Sequence, residues 1–191
     1  PATVMPSAMA RGAADDPGLA ERAAAVMAAE MRAVGINVAL APVADVNSNP
    51  FNPVIGARAF GEDPYRVADF AAATVRGLQG HGVAACAKHF PGHGDTGTDS
   101  HYAVPTIPHD LARLRSVELV PFKAAIANGF PAIMSSHIIF PDLDPDLPGT
   151  LSPRILTDLL RGELGFDGLI VSDAMDMSAI LEGWGVVEGC V

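Results

Sequence analysis

The chain has 191 residues, of which 49% are apolar and 18% charged, a balance that supports a packed core and argues against disorder. Twelve Lys+Arg against 22 Asp+Glu give a formal net charge of −10, which leaves no basic patch to neutralise phosphates and argues against a nucleic-acid partner. No apolar run approaches the roughly 18 to 20 residues of a membrane-spanning helix, and Cys86 and Cys190 are too far apart in sequence for a disulfide scaffold or a clustered metal site.

In chain order, helical stretches and short apolar runs alternate. A helix is expected over 17–34, opened by Asp16-Pro17 and closed by Gly35, followed by a strand over 36–42. Residues 41–64 are rich in Asn, Pro and Gly and read as a structured loop. Asp63-Pro64 opens a second helix over 64–81, with Gly82 leading into a strand over 83–89. After a polar loop comes a helix over 109–128, then Gly129 and a strand over 132–137. Ser152-Pro153 opens the next helix over 153–164, and Gly165 precedes a strand over 168–173, with another helix expected beyond it. Each glycine suits a left-handed C-cap. The strands are almost continuously apolar, as parallel strands covered on both faces are. This rhythm is that of an α/β protein with a parallel sheet.

Polar residues gather where the strands end: Asp45 after the first, Lys88-His89, Ser136-His137 and Ser172-Asp173 at the next three. Such a gathering describes the catalytic face of a (β/α)8 barrel and equally the crevice of a doubly wound sheet. A full barrel has eight strands and typically ~250 residues. Four strands make half of one, so a partial domain is expected. The chain opens at Pro1 without Met and closes at Val191 without a capping signal, so it reads as an internal piece and its localisation stays unread.

The densest chemistry lies in KHFPGHGDTGTDSH, from Lys88 to His101. As a metal site, His89, His93, Asp95, Asp99 and His101 offer acceptable ligands, although Pro91 and Gly92 keep the first two histidines off one helical face. As an acid/base device, Asp99 orients His101 and leaves its second ring nitrogen to move a proton. Asp173 ends an apolar strand, where a carboxylate reads as catalytic, yet Ser172 or Asp173 could equally cap the following helix. In that helix Asp176 would complement the dipole. Arg58 and Asp45 could together hold a polar substrate; the other readings are an internal Asp–Arg pair or turn scaffolding, with scaffolding favoured for Asp45, and Ser136-His137 reads as a satisfied strand end. Cys86, inside an apolar strand, reads as an inert core thiol.

Three stretches together, APVADVNSNPFNPVIGARAFGEDP, AKHFPGHGDTGTDSH and LSPRILTDLLRGELGFDGLIVSDAMDM, resemble glycoside hydrolase family 3 and its β-N-acetylhexosaminidase branch. The resemblance covers nearly the whole chain. It implies a (β/α)8 TIM barrel, present here as a partial barrel of about four βα units, so that residues 1–191 are a catalytic domain cut at both ends. It also implies Asp173 as the nucleophile of a retaining reaction, His101 as general acid/base oriented by Asp99, and Arg58, Lys88 and His89 as the groups holding the sugar and its N-acetyl arm. A neutral imidazole there keeps a second negative charge away from Asp173. The expected activity is release of terminal β-linked N-acetylglucosamine from peptidoglycan or chitin-type fragments, with no metal and no cofactor. The expected partner is a small carbohydrate, with self-association through open barrel edges. A silent sugar-binding half-barrel, an N-acetylglucosaminide phosphorylase and a metal-dependent hydrolase stand as alternatives.

Overall fold

A computed structural model describes residues 2–99 and 104–190. Its centre is a four-stranded parallel sheet of β1 (Val38–Ala39), β2 (Ala84–Phe90), β3 (Ala132–Ser135) and β4 (Leu169–Val171), in spatial order β1-β2-β3-β4. Spatial order follows chain order without reversal, so there is no switch point of the kind a doubly wound sheet must have. The helices agree. Outward residues Ala85, Ala87, Phe90 and Ile133 share one core with Ala24 and Ala28, Val75 and Leu78, Phe122 and Leu159, so the helices cover a single face. A sequential parallel sheet with helices on one face is an arc of a β/α barrel.

Around it stand α1 (Ala8–Ala13), α2 (Pro17–Ala33), α3 (Pro64–Gln79), α4 (Leu111–Ser116), α5 (Val120–Ala127), a π-wound helix over Arg154–Glu163, α6 (Ser178–Leu181) and α7 (Val186–Gly189). Helix α2 buries only Ala20, Ala24 and Ala28, a stripe of small side chains that lets α3 approach closely. A Cβ on Gly77 of α3 would sit 2.3 Å from the Glu21 carbonyl oxygen. The glycines expected at four helix ends, Gly35, Gly82, Gly129 and Gly165, all have positive φ.

Four local expectations change. The stretch expected as one helix over 109–128 is two, because Pro121 cannot donate to an upstream carbonyl and the chain turns at 117–119 before α5. The loop over 41–64 contains a 3-10 turn, Gly56–Arg58, and α1 precedes the first foreseen helix. Regular pairing of the first strand is short, yet Cys86 and Lys88 N–H groups donate to the Ala41 and Pro42 carbonyls, carrying the pairing onward to Val43 with a one-residue change of register. Finally, α6 begins only at Ser178 behind Met177. Ser172 and Asp173 therefore cap no helix, and Asp176 sits in a turn ahead of one.

The inner face of the arc is apolar and partly uncovered. Cys86, Ala132, Met134 and Val171 form a small cluster there. By strand alternation Val38, Leu40 and Leu169 face the same way, and they are 49%, 51% and 63% exposed. With open strand edges beside them, these residues are expected to make the isolated 191-residue chain bind a hydrophobic dye and self-associate at micromolar concentration. Sedimentation velocity showing one monodisperse monomer without dye binding would contradict this.

Candidate active site

The sheet register sets the height of every candidate. Val43 bridges Lys88, Lys88 pairs with Met134, and Met134 with Val171. Asp45 and Asp173 each lie two residues beyond that row, and His89 one residue beyond it. All three thus crown the C-terminal edge of the sheet, where barrel enzymes build their sites.

One irregularity in β2 decides which way the side chains point. Ala85 and Ala87 face the helices while Cys86 faces the interior, so simple alternation would send His89 outward. The register slips between Lys88 and Phe90, which pair with Met134 and Ser135. His89 is therefore the extra residue of a β-bulge. The bulge shifts the phase by one, so Phe90 turns outward to pack edge-on against Phe122 at 5.3 Å. Lys88 and His89 then both address the interior, the kind of re-aiming for which bulges are used.

Asp45 is the hub. It is fully buried, and its Oδ1 accepts from the backbone N–H groups of His89 (3.1 Å) and His93 (2.8 Å). The His89 Nδ1–H donates to Oδ2 at 2.7 Å. This leaves His89 Nε2 facing Asp173, whose Oδ2 is 3.9 Å away. Asp173 accepts from the Ala174 N–H through Oδ1, and its side chain is 26% exposed. His93 Nδ1 is 2.8 Å from the Thr96 hydroxyl, and Asn52 Nδ2 donates to the His93 carbonyl at 2.8 Å, tying the 41–64 loop to the histidine loop. Among the described residues Arg58 pairs with no carboxylate. It is exposed and reaches its own loop's Val54 carbonyl at 3.4 Å, so the internal ion-pair reading does not hold. Asp99 is half-buried at the end of the described loop, and His101 lies outside the described residues.

The profile of the glycosyl hydrolase family 3 N terminal domain matches residues 1–191. The chain belongs to glycoside hydrolase family 3. It is 48% identical over 168 residues to a beta-hexosaminidase of Stenotrophomonas maltophilia strain K279a, covering 88% of this chain and 49% of that protein. A beta-hexosaminidase of Pseudomonas aeruginosa strain LESB58 is 44% identical over 171 residues, covering 88% and 51%. Among solved structures, a family 3 beta-N-acetylglucosaminidase from Paenibacillus sp. str. FPU-7 superposes with a TM-score of 0.97 at 52% identity, over 98% of this chain and 36% of that one. The chain thus spans about half the length of these curated relatives.

The ionisable groups of this family 3 site act on one another. Burial by itself would raise the Asp45 carboxyl. The His89 imidazole, its hydrogen bonds and nearby His93 more than offset this and hold it below the usual carboxylate range. Burial pushes His93 down, only partly opposed by Asp45, and so favours its neutral ring. Lys88 is lowered by burial and by the Arg58 guanidinium, while Asp173 pulls it partly back up. Two cations and Asp173 therefore meet at the rim. Burial pushes the Cys86 thiol up to about 11, which fits the inert core role expected for it.

Sequence reading placed Asp45 as scaffolding, and scaffolding it is. What the sequence did not show is that its partners are His89 and His93, 44 and 48 positions away. His137 was read as a satisfied strand end. Its Nε2–H donates to the Ala174 carbonyl at 3.0 Å, and Nδ1 is 2.9 Å from the Thr150 hydroxyl. It thereby braces the segment just after Asp173. The metal reading loses part of its donor set: His89 Nδ1 is bound to Asp45, and Asp95 turns to His109. Among the described residues no three such side chains converge.

Gly94 explains the second glycine of the histidine loop. A Cβ there would stand 1.7 Å from the Val46 carbonyl oxygen and 2.3 Å from its carbon. Gly94→Ala must therefore push apart the two loops that Asp45 joins. Loss of at least about 2 kcal/mol of stability is expected, together with loss of site geometry. Thermal unfolding of the variant checks this, and an unchanged Tm would show that the loops yield freely.

Proposed function

We propose that this chain carries the nucleophile and acid/base loop of a retaining β-N-acetylglucosaminidase, as part of a longer barrel domain. The observation that carries the reading is the division of labour between the two buried-edge acids. Asp45 is sealed in and accepts three N–H donors, whereas Asp173 is partly exposed and keeps Oδ2 without a hydrogen-bond partner among the described residues. A nucleophile needs a free lone pair, and a scaffold needs none.

In the first step a carboxylate oxygen of Asp173 attacks the anomeric carbon while the glycosidic C–O bond breaks. The bond's electron pair goes to the leaving oxygen, which His101, oriented by Asp99, protonates. In the second step His101 takes a proton from water, the water oxygen bonds the anomeric carbon, and Asp173 departs with its electron pair. Two inversions give net retention. Lys88 and Arg58 hold the ring hydroxyls and the N-acetyl group as hydrogen-bond donors, and His89 offers Nε2 to the same sugar. The beta-hexosaminidase names of the relatives support this substrate class, and peptidoglycan or chitin-type fragments would present such a residue at their non-reducing ends.

Hydrolysis of 4-nitrophenyl β-N-acetylglucosaminide, followed by proton NMR of the first-formed anomer, tests the reading. Release of the β-anomer supports retention, and the α-anomer overturns it. Adding inorganic phosphate separates the phosphorylase alternative, which would yield the sugar 1-phosphate. Sugar binding without turnover by the folded chain would favour the silent half-barrel.

A further inference from the structure

The segment that carries Asp173 has no regular structure of its own. β4 ends at Val171, α6 begins at Ser178, and Ser172 and Ala174 are exposed, so neither a strand ladder nor a helix fixes the carboxylate. One buried side chain reaches this segment from the neighbouring strand end. His137, only 1% exposed, follows β3, and its Nε2 lies 3.0 Å from the Ala174 carbonyl oxygen. A carbonyl only accepts, so Nε2 carries a proton, and in the neutral ring Nδ1 accepts from the Thr150 hydroxyl at 2.9 Å. Thr150 Oγ1 then accepts at 2.8 Å from the hydroxyl of Ser135, the buried last residue of β3, rather than leaving it to the Val171 carbonyl 3.4 Å away. The Thr150 N–H donates to the Ser136 carbonyl at 3.0 Å, which pins the threonine to the same sheet end. At the other end of this chain of bonds, Ala174 uses both of its backbone groups. Its carbonyl accepts from His137 and closes a turn with the Met177 N–H at 3.2 Å, while its N–H donates to Asp173 Oδ1 at 2.8 Å.

We infer that His137 is a positioning residue for the nucleophile: it holds Ala174 in place, and the Ala174 N–H sets the rotation of the Asp173 carboxylate, engaging Oδ1 and presenting Oδ2. The inference rests on the proposed role of Asp173 as nucleophile. An imidazole bonded through both nitrogens keeps one orientation, and it lends that order to an exposed turn that would otherwise sample many. Attack needs the carboxylate oxygen and the anomeric carbon at near-contact distance, and misplacement by ~1 Å costs on the order of 100-fold in rate. The effect falls on bond formation by Asp173 rather than on protonation of the leaving group.

The test compares His137→Leu, His137→Gln and Thr150→Val in the full-length enzyme. The probe is a dinitrophenyl fluorosugar, whose leaving group needs no acid, so covalent labelling reports attack by the nucleophile alone. Mass of the Asp173 peptide is followed against time and probe concentration. His137→Leu removes the donor at similar size and is expected to slow the limiting labelling rate about 100-fold, with the half-saturating concentration within about twofold. His137→Gln keeps an N–H that reaches the Ala174 carbonyl and should stay within about tenfold of wild type. Thr150→Val frees the ring without emptying its site and should slow labelling about tenfold; it carries the test if His137→Leu does not fold. Equal losses in the Leu and Gln variants would make the role one of packing and overturn the proposal. So would a change in half-saturation instead of rate, or unchanged labelling in either folded donor-chain variant. Label on a wild-type residue other than Asp173 would instead remove the nucleophile reading on which the inference rests.

Discussion

Asp173→Asn is expected to lower kcat for an aryl β-N-acetylglucosaminide by about 10,000-fold or more while leaving KM and the circular dichroism spectrum nearly unchanged. The amide lacks the charge that the proposed glycosyl ester requires, and among the described residues no second acid at this edge is placed to replace it. Asp45, the other acid at this edge, is fully buried and already accepts three donors. Folding should not suffer, since the Asp173 side chain is partly exposed and its one described hydrogen bond runs to the adjacent Ala174 N–H. A mechanism-based fluorosugar provides a second readout, because it should add mass to the peptide containing Asp173 in the wild type and not in the variant. Equal turnover by wild type and Asp173→Asn, or label on another residue, would remove Asp173 from the mechanism.

Asp45→Asn should instead act on the fold. The amide offers a single acceptor oxygen to the two backbone N–H groups and the ring N–H that now share two carboxylate oxygens. Its NH2 would confront at least one of those donors. Breaking a buried charged network of this kind costs about 3–5 kcal/mol. For a chain of this size that corresponds to a fall in Tm of roughly 6 to 20 °C. The pH dependence carries a sign. The folded Asp45 carboxyl lies below its unfolded value, near ~3.9, so its contribution is present above that pH. It is lost as pH falls through the range beneath it. The wild type should thus lose stability on acidification more steeply than Asp45→Asn. Superimposable acid limbs, or an unchanged Tm, would show that the hub does not anchor the loop.

The two variants also separate the roles that one sheet edge assigns to chemically identical groups. Both acids follow apolar strands, and both sit two residues beyond the same register row. Their fates differ because the histidine loop folds back over Asp45, allowed to approach by Gly94, and leaves Asp173 at the rim.

Much of this was legible in the residues. Near-continuous apolar strands separated by helices with Pro starts and Gly ends specify a parallel α/β sheet, because only buried parallel strands read that way and only a left-handed residue lets the chain turn so tightly. The motif from Lys88 to His101 marked a loop whose described part folds over Asp45, and the end of the fourth strand set Asp173 on the same sheet edge. Helix boundaries were less legible where two local signals competed. Pro121 broke a stretch whose apolar pattern read as one helix, and the turn at 174–177 delayed α6 past the residues that resembled a cap.

The sequence by itself determined the sheet type, the order of its elements and the edge on which the polar residues collect, since these follow from periodicity and local caps. Periodicity and caps left barrel and doubly wound sheet both open; the family resemblance implied the barrel, and the strand order, which depends on contacts distant in the chain, agrees with it. The tertiary structure decided that His89 faces the interior. That rests on one extra residue in β2 opposite β3, which reverses the alternation. A side-chain period of two is blind to such a slip until the partner strand is present to define the register.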